Sequence, residues 1–226
     1  DIDEDGFSGE VVKSVDDVLK NLSIKKSSIE FRNSILYDQE PLIDAKKLSK
    51  KYPLKSSKSK FFNAVENVSF KIFPGETLGL VGESGCGKST LGKILLKLTE
   101  PSSGSILFNG ENISNFSNRK MRPLRKDMQI IFQDPYSSLN PNKKIGKAIM
   151  EPMKVHNICE NDFQRKQETI QLLSKVGIDK DGFDKFPHEF SGGQRQRICI
   201  ARALALRPKF IVCDESVSAL DVSVQA

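Results

Sequence analysis

Nine consecutive residues at 82–90, Gly-Glu-Ser-Gly-Cys-Gly-Lys-Ser-Thr, fit the pattern G-x-x-x-x-G-K-[ST]. The motif requires a strand before it and a helix after it. The apolar run Thr77–Val81 predicts that strand, and the spacing of apolar residues in Lys88–Leu98 predicts the helix. Glycines let successive backbone N–H groups converge on an anion, to which the start of a helix adds partial positive charge. We therefore predict a phosphate-binding loop.

Each residue of this loop has a predicted role. We expect the triphosphate of a nucleotide to contact all nine residues: Gly82, Glu83, Ser84, Gly85, Cys86, Gly87, Lys88, Ser89 and Thr90. Lys88 reaches the β- and γ-phosphates as a point charge, and the Ser89 hydroxyl ligates Mg²⁺. Lys88 is thus also a candidate catalytic residue.

The second feature is a pair of adjacent carboxylates. The apolar run Phe210–Cys213 predicts a buried strand, and Asp214 and Glu215 follow it directly. Ligands of open parallel sheets collect at the carboxyl ends of the strands, so these carboxylates should lie beside the phosphate loop. We expect Asp214 to hold Mg²⁺ through water. Glu215, one residue nearer the γ-phosphate, is the candidate catalytic base that polarises the attacking water.

The segment Phe190–Arg197, with the sequence Phe-Ser-Gly-Gly-Gln-Arg-Gln-Arg, narrows the possibilities further. Its serine can cap a helix whose first residues are glycines, which leaves a second set of N–H donors open to an anion. Lying between the loop and the acidic strand, this segment resembles the signature sequence of ATP-binding cassette (ABC) ATPases. The resemblance implies that two cassettes pair head to tail, so that one chain's signature contacts its partner's ATP. The signature residues are Ser191, Gly192, Gly193 and Gln194.

Three further site residues are implied by the resemblance. Gln133, after the apolar run Gln129–Phe132, is similar to the family's Q-loop glutamine, which contacts Mg²⁺ and the attacking water. Asp221, in the segment 218–221, resembles the D-loop residue that orders the partner's site. Tyr52 is our choice for the aromatic that stacks on adenine, and Phe61 and Phe62 remain alternatives.

The resemblance also implies the fold class: an α/β P-loop NTPase core of the ABC ATPase type, with an antiparallel β subdomain and a helical subdomain. We expect the nucleotide-binding domain at 42–226, its helical subdomain at about 140–190, and an N-terminal extension of unknown role at 1–41. Periodicity predicts the following elements: strands Ala64–Phe73, Ser105–Phe108, Met128–Phe132 and Lys209–Cys213, and helices Val11–Leu22, Lys143–Met153, Phe163–Val176 and Gly192–Leu206.

The C-terminal part of the core is expected to be missing. In the family, a histidine that touches the γ-phosphate lies a few tens of residues beyond the D-loop. His156 and His188, the two histidines here, come too early to take that place. We therefore expect this 226-residue chain to turn ATP over poorly.

Within the family, the phosphate loop together with residues 132–141 and 217–226 is most similar to the ATPases of oligopeptide and dipeptide importers. This implies an ATP-hydrolysing subunit, peripheral on the cytoplasmic face of the cell membrane. Its implied partners are a second ABC ATPase subunit, integral membrane permease subunits and, indirectly, an extracytoplasmic peptide-binding protein. Nickel or another small solute remains possible as cargo. Ser216 departs from the family, which usually has proline after the catalytic glutamate.

Composition restricts the other possibilities. No apolar stretch approaches the roughly 20 residues of a membrane-spanning helix. A net charge of +6 could indicate nucleic acid, but the lysine-rich stretch 46–60 lacks the aromatic platform that stacks bases, so we expect no nucleic-acid partner. The four cysteines are far apart, and neither a zinc site nor disulfides are predicted.

Two rival functions stay open. The first is a non-transport ABC ATPase in translation or DNA repair, although the paired cassettes, coiled coils or zinc modules of those classes are not visible here. The second is a cassette that binds nucleotide without hydrolysing it, against which the intact Lys88, Asp214 and Glu215 argue.

Overall fold

An antiparallel sheet is formed by residues whose apolar side chains face one core. The computed structural model describes residues 34–53 and 61–214. Its first sheet has the order β2-β1-β3-β4. The strands are β1 (Ile43–Pro53), β2 (Phe61–Ile72), β3 (Ser103–Phe108) and β4 (Glu111–Asn112). Ile43, Ala45 and Leu48 of β1 are buried, and three of its exposed positions carry lysines.

A second sheet, which is parallel, leads to Asp214, the last residue that the structure describes. It pairs β5 (Met128–Ile131) with β6 (Phe210–Cys213) in register from Met128 opposite Phe210. The ladder continues one residue further, because the N–H of Asp214 donates to the carbonyl of Ile131 at 3.0 Å. Asp214 is therefore held in place by the carboxyl end of a parallel pair.

Six α-helices complete this part of the fold. They are α1 (Lys88–Leu95), α2 (Asn118–Leu124), α3 (Pro135–Ser138), α4 (Ile145–Val155), α5 (Asp162–Lys175) and α6 (Gly192–Leu204). Side chains of Ser117, Asp134, Asn161 and Ser191 cap α2, α3, α5 and α6, which explains where these helices begin. Short 3₁₀ turns lie at Lys180–Asp184 and Pro187–Glu189, and residues 34–37 are helical.

The buried residues form two hydrophobic clusters. The first joins α1 to the antiparallel sheet, α2 and the parallel pair, with Ile94 and Ile106 fully buried. The second joins α4, α5 and α6 around Ile149, Leu173 and Ile198. The predicted antiparallel and helical parts are thus both present, and the second cluster extends through α6 to Ala205.

The end of the predicted N-terminal extension contacts the domain. The ring of Tyr37 lies edge-on to Phe73, with centroids 5.0 Å apart, and its hydroxyl donates to Glu76 at 3.4 Å. The helix predicted at Val11–Leu22 falls outside the described residues. Among the residues that are described, none of the helices combines the length and the apolar character needed to cross a membrane.

The strand predicted at Thr77–Val81 is not formed. Leu78 and Leu80 are about half exposed, at 49% and 53%, and Val81 is 92% exposed. Residues 77–80 instead form one wall of a groove of about 760 Å³, and β6 contributes to the lining as well. The prediction was wrong because a strand requires a hydrogen-bonded neighbour, and no strand of the described ranges pairs with this segment.

Several observed elements were not predicted: strands β1 and β4, helices α2 and α3, the two 3₁₀ turns and the helical residues 34–37. Strand β1 contains four lysines, its pairing with β2 has three register shifts, and Lys47 has a positive φ of 50°. These irregularities interrupt the alternation of apolar and polar residues that predicts a strand. Helix α2 contains Pro123, which reads as a helix breaker. Apart from Thr77–Val81, the predicted strands and helices that fall on the described residues are observed, with ends that shift by a few residues.

Candidate nucleotide-binding site

The predicted phosphate loop is a tight turn that leads directly into α1. Gly85 and Gly87 have positive φ angles of 81° and 98°. A Cβ atom on Gly87 would lie only 2.0 Å from the carbonyl oxygen of Ala64 in β2. Gly87 is therefore required both by the left-handed backbone and by the close passage of the neighbouring strand.

The ammonium group of Lys88 lies inside this turn. Its Nζ atom donates to the carbonyls of Gly82 and Glu83, both at 2.8 Å, and approaches the Cys86 Sγ atom at 3.8 Å. The backbone of the loop thus curves around a positive charge at the start of α1. A lysine ammonium group at the start of a helix adds its charge to the partial positive charge of the helix N-terminus, and the two together attract a polyphosphate.

Ser89 meets Asp214 across 125 residues of sequence. The Ser89 hydroxyl donates to the Asp214 Oδ1 atom at 2.6 Å. A hydroxyl and a carboxylate are both hard oxygen ligands of the kind that Mg²⁺ takes. The pair that the sequence predicts as metal ligands therefore fits a divalent cation in its chemistry and its closeness.

Gly92 explains how α1 comes so near to β6. A Cβ atom at this position would lie 2.8 Å from the Cγ1 atom of Val212, so the helix and the strand pack with only a hydrogen between them. Sequence reasoning assigned Gly92 no role. A glycine inside a predicted helix was the signal, because it lowers helix stability and marks a close approach.

The start of α6 is open to solvent and has a complete capping box. The Ser191 Oγ atom accepts from the N–H of Gln194 at 3.3 Å, and the Gln194 Oε1 atom accepts from the N–H of Ser191 at 2.9 Å. Ser191 is exposed, and a Cβ on Gly192 would meet open space. The helix start can therefore be reached by another molecule.

Gln133 lies two residues beyond β5, in the exposed turn that leads to α3. The turn is held against α6, because the Gln196 Nε2 atom donates to the carbonyl of Phe132 at 3.4 Å. This contact joins the segment of one predicted site residue to the helix of another. Sequence reasoning did not identify Gln196.

The adenine-stacking aromatic is not decided by the structure. Tyr52 is 39% exposed and has the Lys50 Nζ atom 5.1 Å from its ring centroid. Phe62 pairs with Tyr52 across the strands, Phe61 pairs with Pro53, and both phenylalanines are more than half exposed. Tyr52 therefore stays a prediction, with the same two alternatives.

Glu215 and Asp221, the predicted catalytic base and D-loop residue, lie outside the described residues. The four cysteines are all free thiols: Cys86 and Cys213 are exposed, Cys159 is half-buried and Cys199 is buried. His188 stacks on Phe186 with ring centroids 5.7 Å apart. This contact is a local packing interaction within the 3₁₀ turn.

Comparison with known sequences identifies a family that matches most of the described domain. The family model described as "ABC transporter" matches residues 65–218. "Glutathione import ATP-binding protein GsiA" of Salmonella typhimurium (strain LT2) is 49% identical over 207 residues. The protein of the same name from Escherichia coli (strain K12) is 48% identical over 204 residues. These matches cover 90% and 88% of this chain but 33% of each relative, so the chain spans about a third of their length.

Solved structures agree on the fold. The dimeric ATP-binding cassette MJ0796 bound to ADP and Pi has a TM-score of 0.74 at 26% identity, covering 80% of this chain and 77% of its own. The cbiO1 protein of Clostridium perfringens, described as part of an ABC transporter complex, has a TM-score of 0.66 at 27% identity, covering 82% and 70%. The predicted fold class is confirmed by these likenesses. Together with the matched family model, they show that the chain belongs to the ABC transporter family of ATP-binding cassettes.

Proposed function

We propose that this chain binds and hydrolyses ATP between the loop 82–90 and the end of β6, as part of the ATP-binding subunit of an importer. The observation that carries the proposal is the 2.6 Å contact between Ser89 and Asp214, which joins the two motifs into one site. Motifs that merely happened to occur in the same chain would not be expected to meet. The name "import ATP-binding protein" of the relatives supports the same function.

The residues at this contact would hold Mg²⁺. Ser89 supplies a hydroxyl ligand, Asp214 supplies a carboxylate, and the exposed Gln133 supplies an amide from the end of β5. The ion neutralises charge that develops on the phosphates during transfer. The protein's own contribution is to carry these oxygens on the start of α1 and on the end of a parallel strand pair, which pack closely at Gly92 and Val212.

Lys88 and Glu215 would divide the remaining chemistry. Lys88 follows the positive-φ Gly87 and already lies within the turn, so exchanging its two carbonyl contacts for phosphate oxygens needs little rearrangement. Glu215 follows Asp214 directly and would accept a proton from the attacking water. The phosphate-binding and proton-accepting roles thus fall to different residues.

The signature residues Ser191–Gln194 would contact the ATP of a second cassette. Their helix start is exposed, and Ser191 caps it without help from any ligand. The dimeric state of the cassette MJ0796 favours this pairing. Asp221 would order the partner's site in the same interface.

Transport would require further chains. We propose membrane permease subunits and an extracytoplasmic binding protein as partners, with the cassette peripheral on the cytoplasmic face of the membrane. The cargo would be a short peptide, since the relatives' names specify glutathione and the segment 132–141 resembles peptide importers.

The proposal is tested by nucleotide binding and hydrolysis in the full-length protein that contains this chain. We expect Lys88→Ala to remove ATP binding, because it deletes the main charge on the phosphates. Glu215→Gln should keep binding while hydrolysis falls by at least about a hundredfold. ATP binding without hydrolysis in the unaltered protein would favour a nucleotide-binding-only cassette. Normal hydrolysis by Glu215→Gln would remove Glu215 as the base.

A further inference from the structure

Helix α6 is joined to the segment 132–138 by three of its side chains. The Gln196 Nε2 atom donates to the carbonyl of Phe132. The guanidinium carbon of Arg195 lies 3.6 Å from the ring centroid of Tyr136. Arg202 donates to the carbonyl of Ser138. The segment that begins next to Gln133 is thus attached at its start, middle and end.

Two of the three side chains that α6 contributes to these contacts are buried, whereas Tyr136 of the segment 132–138 is exposed. Gln196 is fully buried and Arg195 is 6% exposed, whereas Tyr136 is 65% exposed. Arg195 also donates to the carbonyl of Pro187 at 3.1 Å, which keeps its guanidinium in one orientation. Its Nε atom has no hydrogen-bond partner within ranges 34–53 and 61–214. The face of the Tyr136 ring is therefore a major contact of this buried cation.

The segment itself is a stiff turn. The carboxylate of Asp134 accepts from the N–H groups of Tyr136 at 2.8 Å and Ser137 at 3.3 Å. The hydrogen bond from the Tyr136 backbone and that from the Ser137 side chain lower the pKa of Asp134. The ring of Tyr136 and the carboxylate of Asp134 therefore belong to one ordered segment, and Gln133 is the next residue before it.

We propose that Tyr136, held by Arg195, is a positioning residue that couples Gln133 to the signature residues. Arg195 comes directly after Gln194, so the same helical turn carries the signature and the cation on which Tyr136 rests. Movement of the signature toward a partner's nucleotide would be transmitted to Gln133 through this stack. The inference rests on the proposed ATP hydrolysis and assigns Tyr136 no contact with ATP.

The competing explanation is that Tyr136 serves only as a surface contact for a partner protein, as its exposure would allow. These two roles differ in the isolated cassette. A surface contact leaves hydrolysis by the cassette alone unchanged, while a positioning residue alters its turnover. The experiment is therefore done on the full-length protein without membrane partners.

The test compares Tyr136→Ala with Tyr136→Phe and with a matched control, Phe163→Ala. Phe163 is an exposed aromatic of the same helical part, 71% exposed and on α5. We expect Tyr136→Ala to lower kcat by about tenfold while KM for ATP changes by less than about twofold, since the phosphate loop is untouched. Tyr136→Phe keeps the ring and should restore kcat. Phe163→Ala should hydrolyse ATP like the unaltered protein.

Arg195→Lys provides a second variant that does not alter the exposed surface. It keeps the positive charge but loses the planar group that lies on the ring, so kcat should fall in the same direction. An unaltered kcat in Tyr136→Ala, or a loss equal to that of Phe163→Ala, would overturn the positioning role. A lost kcat in Tyr136→Phe would also overturn it. Absence of hydrolysis in the unaltered protein would instead refute the proposed function on which the inference rests.

Discussion

Gly87 has two independent reasons to be glycine, namely its φ of 98° and the 2.0 Å distance that a Cβ would have to the Ala64 carbonyl. We expect Gly87→Ala to abolish ATP binding, because the strand or the loop must shift. Gly110→Ala is the matched control, since Gly110 has a φ of 79° but open space around it. Both variants should lose stability by roughly 1–3 kcal/mol from backbone strain, measured by urea unfolding. Only Gly87→Ala should lose binding, measured by calorimetry; equal binding in the two would contradict the role of this packing.

The thiols provide a second test at the residue scale. Cys86 is exposed in the phosphate loop, while burial raises the pKa of the Cys199 thiol and keeps it protonated at neutral pH. We expect a maleimide to label Cys86 well before Cys199, and MgATP to slow labelling of Cys86 specifically. Peptide mapping by mass spectrometry measures both rates. Labelling of Cys86 that ignores saturating MgATP would contradict the placement of phosphates in this loop.

Among single residues, the sequence predicted those whose positions the chemistry of phosphate binding fixes. Lys88 and Ser89 could be predicted because the motif needs them at set positions, and Asp214 because it follows an apolar strand. The structure brings Ser89 and Asp214 into contact. The choice among Tyr52, Phe61 and Phe62 could not be made, because all three are exposed aromatics at the end of one strand pair.

Helix α1 is held at the end opposite the phosphate loop as well. Arg125 donates to the carbonyls of Leu96 and Lys97, and buried Lys97 forms an ion pair with Glu100. Carbonyls at the last turn of a helix have no partner within that helix, and a guanidinium satisfies two of them at once. The position of Ser89 therefore depends on contacts at both ends of α1.

We expect Arg125→Ala to destabilise the protein by about 1–3 kcal/mol, because it leaves the carbonyls of the buried residues Leu96 and Lys97 without their donor. Arg122→Ala, at an exposed position of neighbouring α2, should change stability by less than about 0.5 kcal/mol. Urea unfolding of the two variants measures the difference. Equal stabilities would show that Arg125 does not support the helix.

Element predictions succeeded where periodicity was regular and failed where pairing was decisive. The apolar spacing of α4, α5 and α6 identified those helices. Thr77–Val81 has the composition of a strand but no hydrogen-bonded neighbour among the residues that the structure describes. Strand β1 was missed for the opposite reason, because pairing on both sides stabilises a segment whose pattern is broken by lysines.

In the molecule as a whole, the two helix starts that we predict to contact phosphates belong to different hydrophobic clusters. The loop and α1 pack in the first cluster, and α6 packs in the second. This division could not be read from periodicity, which reports which residues are buried but not against which partners. The segment 132–138 connects the two clusters, because Leu139 beyond it lies in the second and Met128 before it lies in the first.

The contact between Ser89 and Asp214 allows a double-mutant cycle to test whether the phosphate loop and the end of β6 form one Mg²⁺ site. Ser89→Ala, Asp214→Asn and the double variant are prepared in the full-length protein, and ATP affinity is measured by calorimetry with Mg²⁺ and with a chelator. We expect each single change to remove most of the gain in affinity that Mg²⁺ provides, and the double change to remove little more, because both residues act on one ion. Affinity in the chelator should be similar in all four proteins. Independent, additive losses, or an unchanged Mg²⁺ effect in either single variant, would contradict a shared site.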